Sequence, residues 1–132
     1  MEELLHSSKE PFVAQRAVMS GLLQKAKNTE FGKAYGFDTI HDFKTFSKRI
    51  PLATYGDLKE SIERMRSGES NVLWPGQIKW YAKSSGTTSG KSKYIPVSQD
   101  SINSCHFAGG RYELAIYFNH RPDSKLFEGL GL

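Results

Sequence analysis

The hydrophobic period of this chain changes near residue 68, and that change restricts it to a mixed fold. Upstream, apolar residues recur at helical spacing. Phe12, Met19, Leu22, Leu23 and Ala26 fall within roughly a 100° arc, which predicts an amphipathic helix over residues 11–28. Pro11 suits its first turn. Phe43 and Phe46 predict a short helix over residues 41–49, stopped by Pro51. Thr54 and Asp57 have the spacing of a capping box, and Tyr55, Leu58, Ile62 and Met65 make the buried stripe of a helix that Gly68 closes. Residues 31–37 read as a Gly-punctuated connection whose aromatics pack in the core.

Downstream the period drops to two. Residues 71–74 and 78–83 read as strands joined by a Pro75-Gly76 turn. Ile78, Trp80 and Ala82 would share one face, and Lys79, Tyr81 and Lys83 the other. Pro96 marks residues 94–97 as an edge or bent strand. Ser98 then caps a long helix with Asp100 in its first turn. Ile102, Cys105, Gly109, Tyr112 and Ile116 form one apolar stripe, and Phe107, Leu114 and Phe118 another. Two stripes predict a helix buried between layers, with Cys105 as a small hydrophobe. The Gly109-Gly110 pair implies close approach of a neighbouring helix or, alternatively, of a ligand. The fold class is therefore α/β: amino-terminal helices to about residue 68, then a strand-loop-strand-helix part over about 69–132.

Composition removes several functional classes. Hydrophobic residues at 38% and charged residues at 24% fit a globular chain, and no apolar run approaches a membrane span. The first ten residues hold Glu2, Glu3, His6, Lys9 and Glu10, so they lack a signal-peptide core, and a cytoplasmic location is the default. Cys105 is the only cysteine, which excludes an internal disulfide framework. His6, His41, His106 and His120 show no metal-ligand spacing with it, so no metal site is expected. His106 reads as a surface or packing residue rather than a base. The net charge of +4 is dispersed, without the basic stripe of a nucleic-acid binder.

The candidate site is the loop Ser84, Ser85, Gly86, Thr87, Thr88, Ser89, Gly90, Lys91, Ser92, Lys93. Hydroxyls donate to a ligand, glycines let backbone N–H groups approach, and lysines supply charge, which together are the parts of a phosphate cradle. The P-loop of nucleoside triphosphatases is excluded. Only three residues separate Gly86 from Gly90, one too few, and a strand follows where that motif needs a helix. A Ser/Gly-rich hairpin loop with no ligand is the alternative that composition leaves open.

Trp80-Tyr81-Ala82-Lys83 and the loop, followed by Tyr94-Ile95-Pro96-Val97-Ser98, resemble the first nucleotide motif of the auxin-responsive acyl-acid amido synthetases. These belong to the adenylate-forming superfamily, whose usual pattern is S-G-T-T-G-x-P-K. Here Ser89 separates Thr88 from Gly90 and Ser92 replaces the proline, as in the branch pattern S-S-G-T-T-x-G-x-x-K. Thr29-Glu30-Phe31-Gly32-Lys33-Ala34-Tyr35-Gly36, Arg49-Ile50-Pro51-Leu52-Ala53-Thr54-Tyr55 and Asn71-Val72-Leu73-Trp74-Pro75 are also similar to that family's amino-terminal region, in its order.

The resemblance implies that residues 1–132 are the amino-terminal part of a larger adenylating domain. It implies ATP with Mg2+, a carboxylic acid and an amine such as an amino acid as partners, and an acyl-adenylate intermediate. Ser85, Gly86, Thr87 and Thr88 would contact phosphate directly. Lys91 and Lys93 would add charge, with Lys93 at the position of the family's lysine. The chain alone is expected to be inactive, and to self-associate or be partly molten. A stand-alone anion-binding module, or a fragment that functions only by assembly, is the rival reading.

Overall fold

The computed structural model describes residues 7–84 and 92–129. Helix α1 (Pro11–Ala26) is followed by a short α2 (Glu30–Ala34) and a 3₁₀ turn (Phe37–Thr39). Then come α3 (Phe43–Arg49) and α4 (Tyr55–Arg66). Strands β1 (Trp80–Lys83) and β2 (Tyr94–Val97) form an antiparallel hairpin, with Trp80 opposite Val97 and Lys83 opposite Tyr94. A long helix follows in three pieces: α5 (Gln99–Ser101), a π-helical stretch (Ile102–Phe107) and α6 (Ala108–His120). The described chain is thus mostly helical with one small sheet, compatible with the α/β class.

Three of the segments that suggested the family are structural joints. Thr29, 1% exposed, is the N-cap of α2. Its hydroxyl donates to the Ala26 carbonyl (2.7 Å) and accepts from the Gly32 N–H (2.9 Å). Gly32 lies so close to the end of α1 that a Cβ there would collide with the Ala26 carbonyl oxygen. Gly36 takes the left-handed conformation (φ +59°), and Arg49 closes over it, donating to the Gly36 carbonyl (2.9 Å) and the Thr39 hydroxyl (2.6 Å). Residues 31–37 are therefore a helix and a turn where the sequence suggested a loop. The expected packing of Phe31, Tyr35 and Phe37 is present, with Phe31 in ring contact with both others.

Residues 71–74 are not a strand. Asn71 has φ +61°, and the carbonyls of Asn71 and Val72 accept the first N–H groups of α2, from Glu30 (2.8 Å) and Phe31 (3.1 Å). Backbone groups that could have joined a ladder instead satisfy the open end of a helix. The Pro75-Gly76 turn is present, with Gly76 at φ +73° and its N–H bound to the Asn71 side chain (2.8 Å).

The core has two clusters. Leu23, Ala26, Phe37 and Ile40 form one, and Met65, Val72 and Ile78 the other; Trp74 packs against both. Ile78 precedes β1, and Tyr81 packs beside it while Trp80 is exposed, so within the strand Trp80 and Ala82 stay apart from Tyr81 as expected, but Ile78 does not share their face. The strand begins only at Trp80, so alternation does not carry through from Ile78. In α1, Leu23 and Ala26 are buried but Phe12 and Leu22 are exposed.

The capping predictions hold. Asp57 accepts both the N–H and the hydroxyl of Thr54 at 2.7 Å, and Gly68 ends α4 at φ +99°. Asp42 caps α3 through the Thr45 N–H (2.7 Å), which moves that helix start to Phe43. Ser98 caps α5 through the Ser101 N–H (3.0 Å). The long helix itself is not buried between layers: Phe107, Leu114 and Ile116 are exposed, as is Cys105. Nothing among the described residues lies within 4 Å of a Cβ built on Gly109 or Gly110. No neighbouring helix among the described residues makes the close approach expected there.

Candidate functional site

The hairpin brings the two ends of the hydroxyl-rich loop together. The Ser84 N–H donates to the Lys93 carbonyl (2.9 Å), and the Lys93 N–H donates to the Ser84 hydroxyl (3.2 Å). These bonds extend the ladder one pair beyond Lys83 and Tyr94. Of the candidate residues, Ser84 and Lys93 are thereby paired. Ser85, Gly86, Thr87, Thr88, Ser89, Gly90 and Lys91 lie outside the described residues.

Helix α4 holds the hairpin from one side. The Tyr94 N–H donates to the Tyr55 hydroxyl (3.1 Å), and the Arg66 guanidinium lies over the Tyr94 ring, 3.7 Å from its centroid. Tyr55 and Arg66 are the first and last residues of α4, so Tyr94 is held from both ends of one helix. The Lys93 ammonium stands 5.6 Å from the Tyr55 ring centroid and makes no ion pair among the described residues. The site is therefore a hairpin mouth carrying an unneutralised cation, chemically suited to an anion. Beneath it, the Tyr81 hydroxyl is buried without a hydrogen-bond partner among the described residues, and burial pushes its pKa up.

Charge networks brace this arrangement from behind. Arg64 donates to both carboxylate oxygens of Glu30 (2.9 and 2.6 Å) and also binds Glu69, joining α2, α4 and the turn after α4. Both carboxyls are held below their ordinary range, first by these hydrogen bonds from Arg64. Asp100 accepts from Lys25 (2.7 Å) and from the Trp74 indole (3.3 Å), fixing the start of the long helix to α1 and to the 71–76 turn. Sequence reasoning missed Tyr55 and Arg66 as partners of the hairpin. The available signal was Tyr55's place at the end of the Arg49–Tyr55 segment.

A cavity of about 780 Å³ runs along α1, lined by Met19, Leu22, Leu23, Leu58 and Trp74 among others. It shares no residue with the hairpin mouth, and its apolar walls suit packing rather than phosphate. Among the described residues no group of three or more His, Cys, Asp or Glu side chains gathers to hold a metal ion. No helix among them is long and apolar enough to cross a membrane.

The described residues are thus a mostly helical segment whose small hairpin carries a cation at its mouth. Residues 1–130 match the GH3 family N-terminal domain, and the chain belongs to the GH3 family. It is 33% identical over 97 residues to the indole-3-acetic acid-amido synthetase GH3.2 of Arabidopsis thaliana, covering 73% of this chain and 18% of that protein. It is 29% identical over 105 residues to the jasmonoyl–L-amino acid synthetase JAR6 of Nicotiana attenuata, covering 79% of this chain and 18% of that protein. The jasmonoyl–L-amino acid synthetase GH3.3 of Oryza sativa subsp. japonica is 30% identical over 105 residues, 79% of this chain and 23% of that protein. The chain thus spans less than a quarter of the length of these relatives.

Proposed function

We propose that this chain is the amino-terminal part of a large adenylate-forming domain in an ATP-dependent acyl-acid amido synthetase. Its helical part is residues 1–68 and its strand-loop-strand-helix part is residues 69–132. The observation that carries this reading is the pairing of Ser84 with Lys93 at the mouth of the hydroxyl-rich loop, in a chain of the GH3 family.

A carboxylate oxygen of the acid would attack the α-phosphorus of ATP. The bond to the bridging oxygen would break, and pyrophosphate would leave with the electron pair. The amine nitrogen would then attack the acyl carbon, expelling AMP and losing a proton to give the amide. The loop's part is electrostatic. Ser85, Gly86, Thr87 and Thr88 would donate to the β- and γ-phosphates, and Lys91 and Lys93 would offset the charge that accumulates on pyrophosphate. The cation at the mouth fits that role, because no carboxylate among the described residues neutralises Lys93. Magnesium would enter on the nucleotide's phosphates, as is usual for that ion. The protein would act in the cytoplasm.

The test is exchange of labelled pyrophosphate into ATP by the protein expressed from its complete reading frame, with magnesium and a panel of carboxylic acids. Acid-dependent exchange is the expected result. Phosphate release from ATP without exchange, across a broad panel, would overturn the assignment.

A further inference from the structure

Tyr55 touches two successive residues at the hairpin mouth in two different ways. Its hydroxyl accepts the backbone N–H of Tyr94 (3.1 Å), while its ring lies 5.6 Å from the Lys93 ammonium, within the range of a cation–π contact. Its own backbone is fixed. It is the first residue of α4, directly after the Thr54–Asp57 capping box, and the far end of the same helix grips the Tyr94 ring through Arg66.

Lysine is otherwise a poor residue for a placed charge. Its ammonium sits on a flexible four-carbon stem, whose freedom must be lost before the charge acts at one point. An aromatic face beneath the stem restricts that freedom and leaves the cation unneutralised, which a carboxylate partner would not do. The Tyr94 hydrogen bond adds the second constraint, fixing the strand from which the stem departs.

We propose that Tyr55 is the positioning residue for Lys93, holding its ammonium ready for the anionic ligand of the loop. The proposal rests on the phosphate role assigned to Lys93 above. It places Tyr55, some 30 residues before the loop, in the working site. It also gives a function to the Arg49–Tyr55 segment beyond its part in the fold.

The test is a double-mutant cycle on pyrophosphate exchange by the protein from its complete reading frame. Tyr55→Leu should lower kcat about tenfold, the scale of a partly desolvated cation–π contact, with KM for ATP changed less than about threefold. In a Lys93→Ala background, Tyr55→Leu should cause no further loss, because a residue that acts through Lys93 has nothing left to act on. Tyr55→Phe keeps the ring and should lose less than Tyr55→Leu. Nuclear magnetic resonance of the 132-residue chain without ligand gives an independent reading. The Lys93 ε-methylene signals should be shifted upfield by the ring, remain so in Tyr55→Phe, and return to random-coil positions in Tyr55→Leu.

Losses that multiply in the double variant would overturn the proposal, as would an unshifted Lys93 methylene in the unmutated chain. Equal damage from Tyr55→Phe and Tyr55→Leu would overturn it too, assigning the effect to the Tyr94 hydrogen bond. If Lys93→Ala leaves exchange intact, the phosphate role of Lys93 fails and the proposal falls with it. If Lys93→Ala abolishes exchange and Tyr55→Leu changes nothing, only the present inference fails.

Discussion

Lys25 and Asp100, 75 positions apart in sequence, meet at 2.7 Å and tie the end of α1 to the start of the long helix. The Asp100 carboxyl is held below its ordinary value of 3.8, first by the hydrogen bond from Lys25 and further by the Trp74 indole. A carboxyl with a depressed folded-state pKa contributes stability that is present above its unfolded pKa. That contribution is lost as pH falls through the folded value. Both side chains are about half exposed, so the contribution is at most about 1 kcal/mol. Asp100→Asn should therefore lower Tm slightly at neutral pH and lose less stability than the unmutated chain below about pH 4. Parallel acid profiles for the two proteins would refute this.

Glycines divide sharply by position. Gly32→Ala should destabilise by about 1–3 kcal/mol or more, because the added methyl meets the backbone carbonyl of Ala26 rather than a side chain that can move. Gly109→Ala and Gly110→Ala meet nothing and should stabilise the 132-residue chain by about 0.4–1 kcal/mol each. Urea unfolding measures all three. Similar effects at the three sites would contradict the close packing of α2 on α1.

Replacing Thr87 and Thr88 together by alanine should reduce pyrophosphate exchange by the complete protein at least about 100-fold, the scale of losing a donor to developing charge. The ligand-free Tm should hardly change. A large fall in Tm with normal turnover would return the loop to a purely structural role.

The 132-residue chain should bind pyrophosphate and ATP with similar, weak affinity and catalyse no exchange. The role proposed for its candidate groups is toward phosphate, and the cavity along α1 shares no residue with the hairpin mouth. Calorimetry with both ligands checks this. Much tighter ATP binding would place an adenosine pocket within these residues.

Phe107, Leu114, Ile116 and Tyr117 leave the long helix widely exposed, with Phe107 at 63%. Burying such side chains is worth roughly 1.5–3 kcal/mol each. The 132-residue chain should accordingly self-associate in light scattering as concentration rises. A monomer at high concentration with sharp near-ultraviolet circular dichroism would refute it.

Much of the helical half was legible because its signals are local. The Thr54–Asp57 box, Pro11 at a first turn and Gly68 at a helix end each depend on neighbours within a few residues. The strand-like runs on either side of the loop were legible for the same reason, although the strand expected at residues 71–74 was not there. What escaped depended on distant partners. Asn71 and Val72 have strand-like surroundings in sequence, but their carbonyls are claimed by α2, some 40 residues earlier. The π-helical stretch of residues 102–107 was equally hidden. It changes the number of residues per turn, so stripes drawn at a constant 3.6 cannot track the real faces on both sides of it. At the candidate site, the composition of residues 84–93 pointed to an anion. Nothing near the loop in sequence pointed to Tyr55 or Arg66.

The Ser84–Lys93 pair also bears on how this loop can vary in length. Both ends of the eight residues between them are pinned by the ladder, so an insertion changes only the entropy of an already closed loop. Growing from seven residues to eight costs about 0.1 kcal/mol. The extra Ser89, relative to the S-G-T-T-G-x-P-K pattern, is therefore almost free thermodynamically. In sequence it separates Thr88 from Gly90, while Lys93 keeps its place at the mouth. A loop closed in this way can gain a residue without moving Lys93 from its mouth.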